Sequence, residues 1–346
     1  MKCILLALIL CLPIITNAQH GGYNSDTGWS RFSMQDTVPQ PGANDTCLVF
    51  VSNRHFLRDS LRFLDEYVDT SHLNYFFLRK QGPQWQVFQT TSLSDAMELL
   101  PIRRDIVVYA EGMGKIFTNN VERAYLMTTQ YGVNVVMFDY SSINTTFKPA
   151  KNFKFARTNA RISAGQYFTL MKDFQAAREA NAPWISGERL TLFFHSMGNI
   201  ILRQMMLTQH YTALNSYPFV DNVVINAACV PQRDHIAWVK DIRFAGNIYI
   251  HYNKNDIQLK GAHLLTFQDQ LGEKIHQRAP NAHYINFHDY VGWKHSYFLN
   301  FPFSKFQLSD DMKMYFSALL RGNAVSMLPG KNTAPLLTSK ASTGRD

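Results

Sequence analysis

Hydrophobic residues along the chain follow two alternating periods. Short apolar runs rich in β-branched and aromatic residues, such as DIVVYA and VNVVMFDY, are typical of strands buried on both faces of a sheet. The segments between these runs repeat apolar residues at helical spacing. On this basis, strands are predicted at 47–51, 105–110, 133–140, 190–195, 222–228, 247–252 and 283–289.

This alternation predicts an α/β fold, with a mostly parallel central sheet covered by helices on both faces. NYFFLR and WQVFQT flank Gln81-Gly82-Pro83 and indicate an N-terminal antiparallel hairpin. Helices are predicted near 57–68, 92–100, 119–130, 160–180, 199–206, 234–242 and 310–320.

The composition predicts one main domain. No linker or internal repeat interrupts residues 46–321. Residues 19–45 are rich in Gly, Ser, Pro and Asp and predict a flexible leader, and residues 322–346 predict a flexible tail.

The N-terminus has the pattern of a secretory signal peptide. Lys2 precedes an apolar run at 3–15, and a small residue, Ala18, offers a cleavage site. Residues 1–18 are therefore expected to be removed, which predicts an exported protein, periplasmic or secreted. No later run reaches membrane-spanning length, so a soluble chain without a transmembrane segment is expected.

The formal net charge is +8, and one basic cluster stands out. FKPAKNFKFARTNAR alternates Lys and Arg with Phe, a pattern that also occurs in nucleic-acid-binding proteins. The chain is expected to be exported and carries no nucleic-acid-binding motif, so no nucleic acid is predicted as a partner. The remaining interpretations are a solvated loop and a contact with an anionic substrate.

Removal of the signal peptide would leave Cys47 and Cys229. In an oxidising compartment these two residues could pair, and two buried thiols are the alternative. No C-x-x-C or H-E-x-x-H spacing is present, so no metal site and no cofactor are predicted.

The stretch LTLFFHSMGNIILRQMM, at 190–206, joins a predicted strand to a predicted helix. Only residues 195–198 separate the two periods, and Ser196 lies on that tight turn. This is the context of a nucleophile elbow, which usually reads G-x-S-x-G. The alternative interpretation is a polar turn with a helix-capping serine.

A serine hydroxyl needs a base to take its proton and an acid to orient the base. In folds with such an elbow, the acid and the base follow the serine in that order. Asp256 follows the strand 247–252, and His295 follows the last predicted strand. Asp234 and Asp289 are competing candidates for the acid, and Asp256 is preferred for its place in the chain order.

Acyl transfer also requires N–H donors for the developing oxyanion. The Met197 amide, next to the nucleophile at a helix N-terminus, is one candidate. The other is Met113 in the loop EGMGKIF, whose glycines allow close approach of the backbone. An ordinary strand-to-helix turn is the alternative for this loop.

These motifs resemble an uncharacterised bacterial α/β-hydrolase family known only as a domain of unknown function. The similarity rests on FVSNR, VVYAEGMGKIFTNNVERA, FHSMGN and HSYF, and covers about residues 46–320. The resemblance implies an α/β-hydrolase fold with Ser196, Asp256 and His295 as a catalytic triad. It implies no established substrate.

Two residues depart from the pattern of that family. Glu111 stands where relatives have the histidine of an H-G turn, and Phe194 stands two residues before the serine, where a small residue is usual. The elbow is expected to form despite Phe194, because Gly198 has no side chain and leaves room for the ring. Glu111 is expected to point toward a cation or backbone N–H groups rather than into the oxyanion site.

The sequence thus predicts an exported serine hydrolase that cleaves an ester or related acyl bond in a small-molecule or lipid-like substrate. No protein partner is inferred. Cover for the site is expected from residues 141–159 or 257–281. The alternative function is a non-catalytic binding protein that kept the fold, which the Glu111 and Phe194 departures motivate.

Overall fold

The computed structural model describes residues 26–38, 40–208, 210–302 and 304–326. The predicted signal peptide lies outside these residues, as does most of the predicted tail. Within the described ranges, no helix is long and apolar enough to cross a membrane.

The structure contains strands and helices in alternation over most of its length. The strands are β1 (Phe32–Met34), β2 (Thr46–Ser52), β3 (Arg54–Leu57), β4 (Arg62–Val68), β5 (Asn74–Gln81), β6 (Gln84–Thr90), β7 (Ile106–Ala110), β8 (Asn134–Asp139), β9 (Leu190–His195), β10 (Val220–Asn226), β11 (Ala245–Tyr252) and β12 (His283–Asn286). The helices are α1 (Asp26–Trp29), α2 (Leu93–Glu98), α3 (Phe117–Tyr131), α4 (Pro149–Ile162), α5 (Ala164–Glu179), α6 (Gly198–Leu207), α7 (His235–Val239), α8 (Ile257–Thr266), α9 (His288–Val291) and α10 (Asp310–Leu320). Short 3₁₀ turns lie at Arg58–Ser60 and His210–Ala213.

The central sheet has the strand order β1-β6-β5-β2-β8-β7-β9-β10-β11-β12. Along this spatial order, all pairings in the part β2-β8-β7-β9-β10-β11-β12 are parallel. The strand β5 runs antiparallel to both of its neighbours, β2 and β6. The predicted α/β fold, with its mostly parallel sheet and N-terminal hairpin, is therefore confirmed. Because the strand order reverses between β7 and β9, the loops after these strands diverge and open a crevice.

Helices cover both faces of the sheet. The helices α3 and α10 contact each other and pack against β8 and β9, respectively. On the other face, α6 packs against β9 and contacts α4, α5 and α7. The strand β9, which leads to Ser196, is thus held between α6 and α10, and all six of its residues are buried.

The predicted helix at 57–68 is wrong, because this segment forms a 3₁₀ turn and the strand β4, which pairs with β3. Leu61 has φ 44°, a left-handed conformation that ends the turn. The aromatic residues decide the outcome: Phe56 pairs across the two strands with Phe63, and both rings lie about 5 Å from Phe76. A helix would separate these rings.

The basic stretch around Lys148 is not a solvated loop, because most of it forms α4, which begins at Pro149. Proline suits a first helical position, where its missing N–H is not needed. The long helix predicted at 160–180 is accordingly divided at Ser163 into α4 and α5. Asn152 and Asn159 hydrogen bond to the backbone of residues 141–147, which fixes α4 on the domain.

Both ends of the domain extend beyond the predicted boundaries. Part of the predicted leader forms α1 and β1, and Trp29 stacks on Phe117 with ring centroids 6.1 Å apart. At the other end, Val325 is buried and its amide donates to the Tyr249 hydroxyl at 2.8 Å. Burial of these apolar side chains offsets the entropy of ordering the terminal segments.

The two cysteines of the main domain are free thiols. Cys47 and Cys229 are both buried, and they belong to different hydrophobic clusters. Burial raises the pKa of each thiol to about 12, so neither is a reactive thiolate near neutral pH.

Candidate active site

Ser196 lies on a strained turn between β9 and α6. Its φ is 53°, in the left-handed region that residues other than glycine rarely occupy. Hydrogen bonds to both the amide and the carbonyl of Ser196 hold this conformation. The Ser196 amide donates to the Asn226 carbonyl at 3.0 Å, and the Ser196 carbonyl accepts from the Cys229 amide at 3.1 Å and from the Asn199 side chain at 3.0 Å. The surrounding backbone therefore stabilises a serine that projects from the end of the strand.

Phe194 and Gly198, which flank Ser196, pack against different parts of the domain. The Phe194 ring is fully buried and packs against Tyr167 of α5, with ring centroids 5.2 Å apart. A Cβ atom on Gly198 would collide with the Ala110 carbonyl and lie 2.9 Å from the Glu111 carbonyl oxygen. Gly198 therefore lets α6 approach the end of β7, and the expectation that it makes room for Phe194 is wrong.

His295 and Asp256 form a buried pair at the carboxyl end of β11. His295 Nδ1 lies 2.6 Å from Asp256 Oδ2. The other carboxylate oxygen, Asp256 Oδ1, accepts from the amides of Gln258 and Leu259 at 3.0 Å each, and so caps α8. Both carboxylate oxygens are thus used, and one carboxylate fixes both the imidazole ring and the start of a helix.

The two competing aspartates lie elsewhere. Asp234 pairs with Arg203 on α6. The Asp289 side chain is 84% exposed and lies 3.8 Å from His288. Of the three acids that the chain order allows, the structure brings Asp256 to His295.

Ser196, His295 and the candidate oxyanion residues line one cavity of about 120 Å³. Phe153 of α4 and Leu265 of α8 also line it, so both segments expected to cover the site contribute to its walls. Among the described residues, no hydrogen bond joins Ser196 Oγ to the His295 ring. Such contacts are often long without substrate and tighten when it binds.

Gly112 brings the loop after β7 against Ser196. A Cβ atom at this position would lie 2.6 Å from Ser196 Cβ, 3.0 Å from Ser196 Oγ and 3.2 Å from the Met197 amide nitrogen. Only glycine permits this approach. In the described part of the chain, the Met113 and Met197 amides donate to no protein acceptor. Both N–H groups thus remain available on residues that line the cavity with Ser196.

For a site that cleaves esters, Gly112→Ala is expected to slow turnover by about 10²–10³-fold, because the new methyl group must push the loop away from Ser196 and displace a candidate oxyanion donor. Steady-state kinetics on short p-nitrophenyl esters measures this effect. Gly165→Ala is the matched control, since a Cβ there meets no atom within 4 Å. Equal turnover in the two variants would contradict the placement of the loop.

Glu111 is satisfied by its own surroundings. Its carboxylate lies 2.7 Å from the Arg123 guanidinium, accepts from the Gly112 amide at 2.7 Å, and contacts the Tyr109 hydroxyl. Burial alone would raise the Glu111 pKa, but the positive charges of Arg123 and Lys115 outweigh it and lower the pKa to about 2. The expectation that a cation and a backbone N–H hold Glu111 is confirmed.

A chain of buried hydrogen bonds runs beneath the elbow from β11 to the loop that carries His295. Tyr315 contacts His251 Nε2 at 2.7 Å, and the Asn226 amide group joins His251 Nδ1 to His195 Nδ1, at 3.0 Å on each side. His195 Nε2 lies 3.2 Å from the Ser296 hydroxyl. Because the Asn226 oxygen accepts, His195 carries its proton on Nδ1 and accepts from Ser296.

The imidazoles of His195 and His251, which belong to this series of hydrogen bonds, are both neutral near pH 7. Burial lowers the pKa of His195 and of His251 to about 3. A neutral His195 with this tautomer positions the backbone next to His295 and is itself bonded on both ring nitrogens. These bonds indicate that His195 orients its neighbours and is not free to act as a base.

Lys115 is a buried amine at the same cavity. Burial and the nearby Arg123 charge together lower its pKa to about 7, and the Glu111 carboxylate opposes part of this shift. Between pH 7 and 10.5 the unfolded chain therefore binds more protons than the folded chain, so the free energy of unfolding rises with pH across this window. The destabilising effect is fully present below pH 7.

Lys115→Met is expected to remove this pH dependence. The stability gain of the variant over the wild type should be largest just below pH 7 and shrink by about 4 kcal/mol toward pH 10. Urea unfolding at a series of pH values measures it, with exposed Lys240→Met as the control. A difference between Lys115→Met and wild type that does not vary with pH would contradict the assigned titration.

One cluster outside the cavity has side chains of the kind that bind metals. Atoms of His263, Asp269 and Glu273 lie within 4.8 Å of one another. Asp269 is also bonded to Lys274 and His276, so these carboxylates already have cationic partners. The cluster is therefore explained as an ion-pair network on the loop after α8.

Several residues of the site are absent from the sequence predictions. Arg123 binds Glu111, and Asn199 binds the backbone of the elbow. Asn226 and Ser296 both bind His195. The sequence indicates that Glu111 needs a cation or N–H donors. It carries no signal for which residue supplies them, because the partners are brought together by the packing of α3, α6 and β10.

Comparisons with known proteins assign no family to this chain. No protein-family model matches the sequence, and no curated protein matches it. Among solved structures, phospholipase PlaB from Legionella pneumophila matches with 19% identity over 37% of this chain and 26% of that chain, with a TM-score of 0.20. The match therefore spans about a quarter of the phospholipase, and with this TM-score nothing about the function of this chain follows from it. The family resemblance inferred from FHSMGN and HSYF stays a prediction.

Proposed function

We propose that this chain is an exported serine hydrolase that cleaves an ester or related acyl bond. Ser196 is the nucleophile, His295 is the general base and then the general acid, and Asp256 orients and stabilises the imidazole. The amides of Met113 and Met197 bind the oxyanion. The reaction requires no cofactor.

One observation carries the proposal: His295, whose Nδ1 lies 2.6 Å from the Asp256 carboxylate, and the left-handed Ser196 line the same cavity. A serine that merely caps a helix has no need of positive φ, since capping residues usually adopt extended backbone angles. A strained serine beside a bonded Asp–His pair supports a nucleophile.

In the proposed reaction, Ser196 Oγ attacks the acyl carbon while its proton passes to His295 Nε2. The C–O bond to Ser196 forms and the carbonyl oxygen becomes an oxyanion. When the intermediate collapses, the bond to the leaving group breaks and His295 returns the proton to that group. Water then attacks the acyl-enzyme by the same proton transfers, releasing the acid and restoring Ser196.

The charges around the oxyanion are compatible with this reaction. An ionised Glu111 would oppose negative charge on the substrate oxygen, but the Arg123 guanidinium 2.7 Å away neutralises it. Each amide donor of an oxyanion site contributes about 3 kcal/mol to transition-state stabilisation. The Met113 and Met197 amides are therefore the groups on which the rate depends most, after the triad.

The substrate proposed is a small-molecule or lipid-like acyl compound. Phe153, Leu259, Ala262 and Leu265 form apolar walls of the cavity, which suit an acyl chain. No nucleic acid and no protein partner is part of the proposal.

The second candidate is a binding protein of the same fold without turnover. The observation that favours it is the buried, ionised Glu111 carboxylate, which lines the cavity beside the candidate oxyanion donors. If its charge is not compensated during the reaction, the transition state is destabilised and only binding remains.

A fluorophosphonate probe distinguishes the two candidates. In an active serine hydrolase, Ser196 Oγ displaces fluoride and forms a stable phosphonyl ester, so mass spectrometry should find the label on Ser196. Ser296 lines the same cavity and serves as the internal control. The absence of labelling, or labelling on Ser296, would contradict the hydrolase proposal.

A further inference from the structure

The helix α4 presents a basic face at the edge of the cavity. Lys151, Lys154, Arg157 and Arg161 lie at helical spacing along it, and no acidic residue occurs between Asp139 and Asp173 in the sequence. The two lysines and Arg161 are exposed. A row of cations without acidic neighbours generates a positive field that nothing on this helix neutralises.

The helix α8 presents an apolar stripe to solvent. Ile257, Leu264 and Leu265 are spaced as one helix face, where such residues are normally buried. Here they are 41%, 43% and 46% exposed. Phe267, directly after this helix, is 90% exposed and has φ 53°, a conformation in which a large side chain brings no local advantage. The fold itself therefore does not explain these side chains.

The two surfaces flank the same opening. Phe153 of α4 and Leu265 of α8 both line the cavity that contains Ser196, and the Arg157 guanidinium lies over the Phe153 ring at 5.5 Å. The basic face and the apolar stripe thus form adjacent parts of one rim, which we call the cavity rim and define by α4 and residues 257–267.

From this combination we infer that the cavity rim docks on an anionic lipid surface. Helices that lie in a membrane interface combine exposed apolar side chains with Lys and Arg, and their binding strength follows apolar burial together with attraction to anionic headgroups. Phe267, Leu264 and Ile257 would enter the acyl region while the α4 cations face the phosphates. The opening of the cavity would then lie against the bilayer.

This inference goes beyond the proposed function and is tested without turnover. The purified protein is sedimented with vesicles of phosphatidylglycerol mixed with phosphatidylcholine, and with vesicles of phosphatidylcholine alone. Binding should be stronger to the anionic vesicles and should fall as salt is added. Ser196→Ala should bind equally well, so a failure of the hydrolase proposal leaves this result unaffected.

Two variants locate the contact. Lys151→Gln/Lys154→Gln should weaken binding to anionic vesicles by about fivefold for each lysine. Phe267→Asn, which suits the left-handed conformation, should weaken binding by about tenfold or more. Lys240→Gln/Lys313→Gln removes the same charge from other helices and is the matched control.

Three results would overturn the inference. The first is equal binding to the two kinds of vesicle. The second is equal binding by the α4 double variant and its control. The third is a change from dimer to monomer in Phe267→Asn during sedimentation without lipid, which would show that a second copy of the chain covers the rim instead.

Discussion

Replacing Ser196 by alanine is expected to lower the turnover of acyl esters by about 10⁶-fold, because the variant lacks the oxygen that forms the acyl-enzyme. The residual rate would reflect binding and the oxyanion amides alone. Fluorophosphonate labelling should disappear in the same protein. His295→Gln should cost about as much, and the double variant little more, since the two residues act as one unit.

The same position offers a check on stability. Alanine has no advantage over serine at φ 53°, so Ser196→Ala should unfold at nearly the wild-type temperature, whereas Ser196→Gly should be more stable by about 1 kcal/mol. Ser33→Ala, at an exposed position of β1, controls for the loss of a hydroxyl. Turnover by Ser196→Ala that equals that of Ser33→Ala would exclude Ser196 as the nucleophile.

Asp256→Asn is expected to lower turnover by about 10⁴-fold. Asp256 Oδ2 lies 2.6 Å from His295 Nδ1 and holds the tautomer in which Nε2 can accept a proton. An amide group at this position would favour the opposite tautomer, which is the reason for a loss of this size in serine proteases. Steady-state kinetics measures the effect, and circular dichroism should show an unchanged fold.

The controls for this prediction come from the competing acids. Asp234→Asn and Asp289→Asn should retain most of the turnover, because Asp234 pairs with Arg203 and Asp289 is exposed. Asn at position 256 keeps an oxygen that can cap α8, whereas Asp256→Ala loses the cap and should be about 1 kcal/mol less stable than Asp256→Asn. A loss of turnover in Asp289→Asn as large as in Asp256→Asn would reject the assignment.

Features that depend on neighbouring residues could be predicted from the sequence. The strand β9, the turn at Ser196 and the helix α6 follow from a change of hydrophobic period within a few residues. The N-terminal hairpin and the last helix, α10, follow from the same kind of local pattern. The carboxyl ends of parallel strands share one edge of a sheet, so chain order alone was enough to propose Asp256 and His295.

Features that depend on distant packing could not be predicted in this way. The segment 57–68 has a helix-like pattern, but the contacts of Phe56 and Phe63 with Phe76 make it a strand pair. These contacts outweigh the local preference, because burying aromatic rings contributes more free energy than helix propensity. The formation of α1 and β1 within the predicted leader has the same origin, since it depends on the stacking of Trp29 on Phe117.

The charges of the site show the same division. From the sequence, Glu111 required a cation or N–H groups, and the basic stretch around α4 suggested a loop or an anion contact. Only the tertiary structure decided that Arg123 is the partner of Glu111 and that the basic residues form one face of a helix beside the cavity. The helical period predicts which residues share one face of a helix. The residues that this face contacts depend on how the helices pack on the sheet.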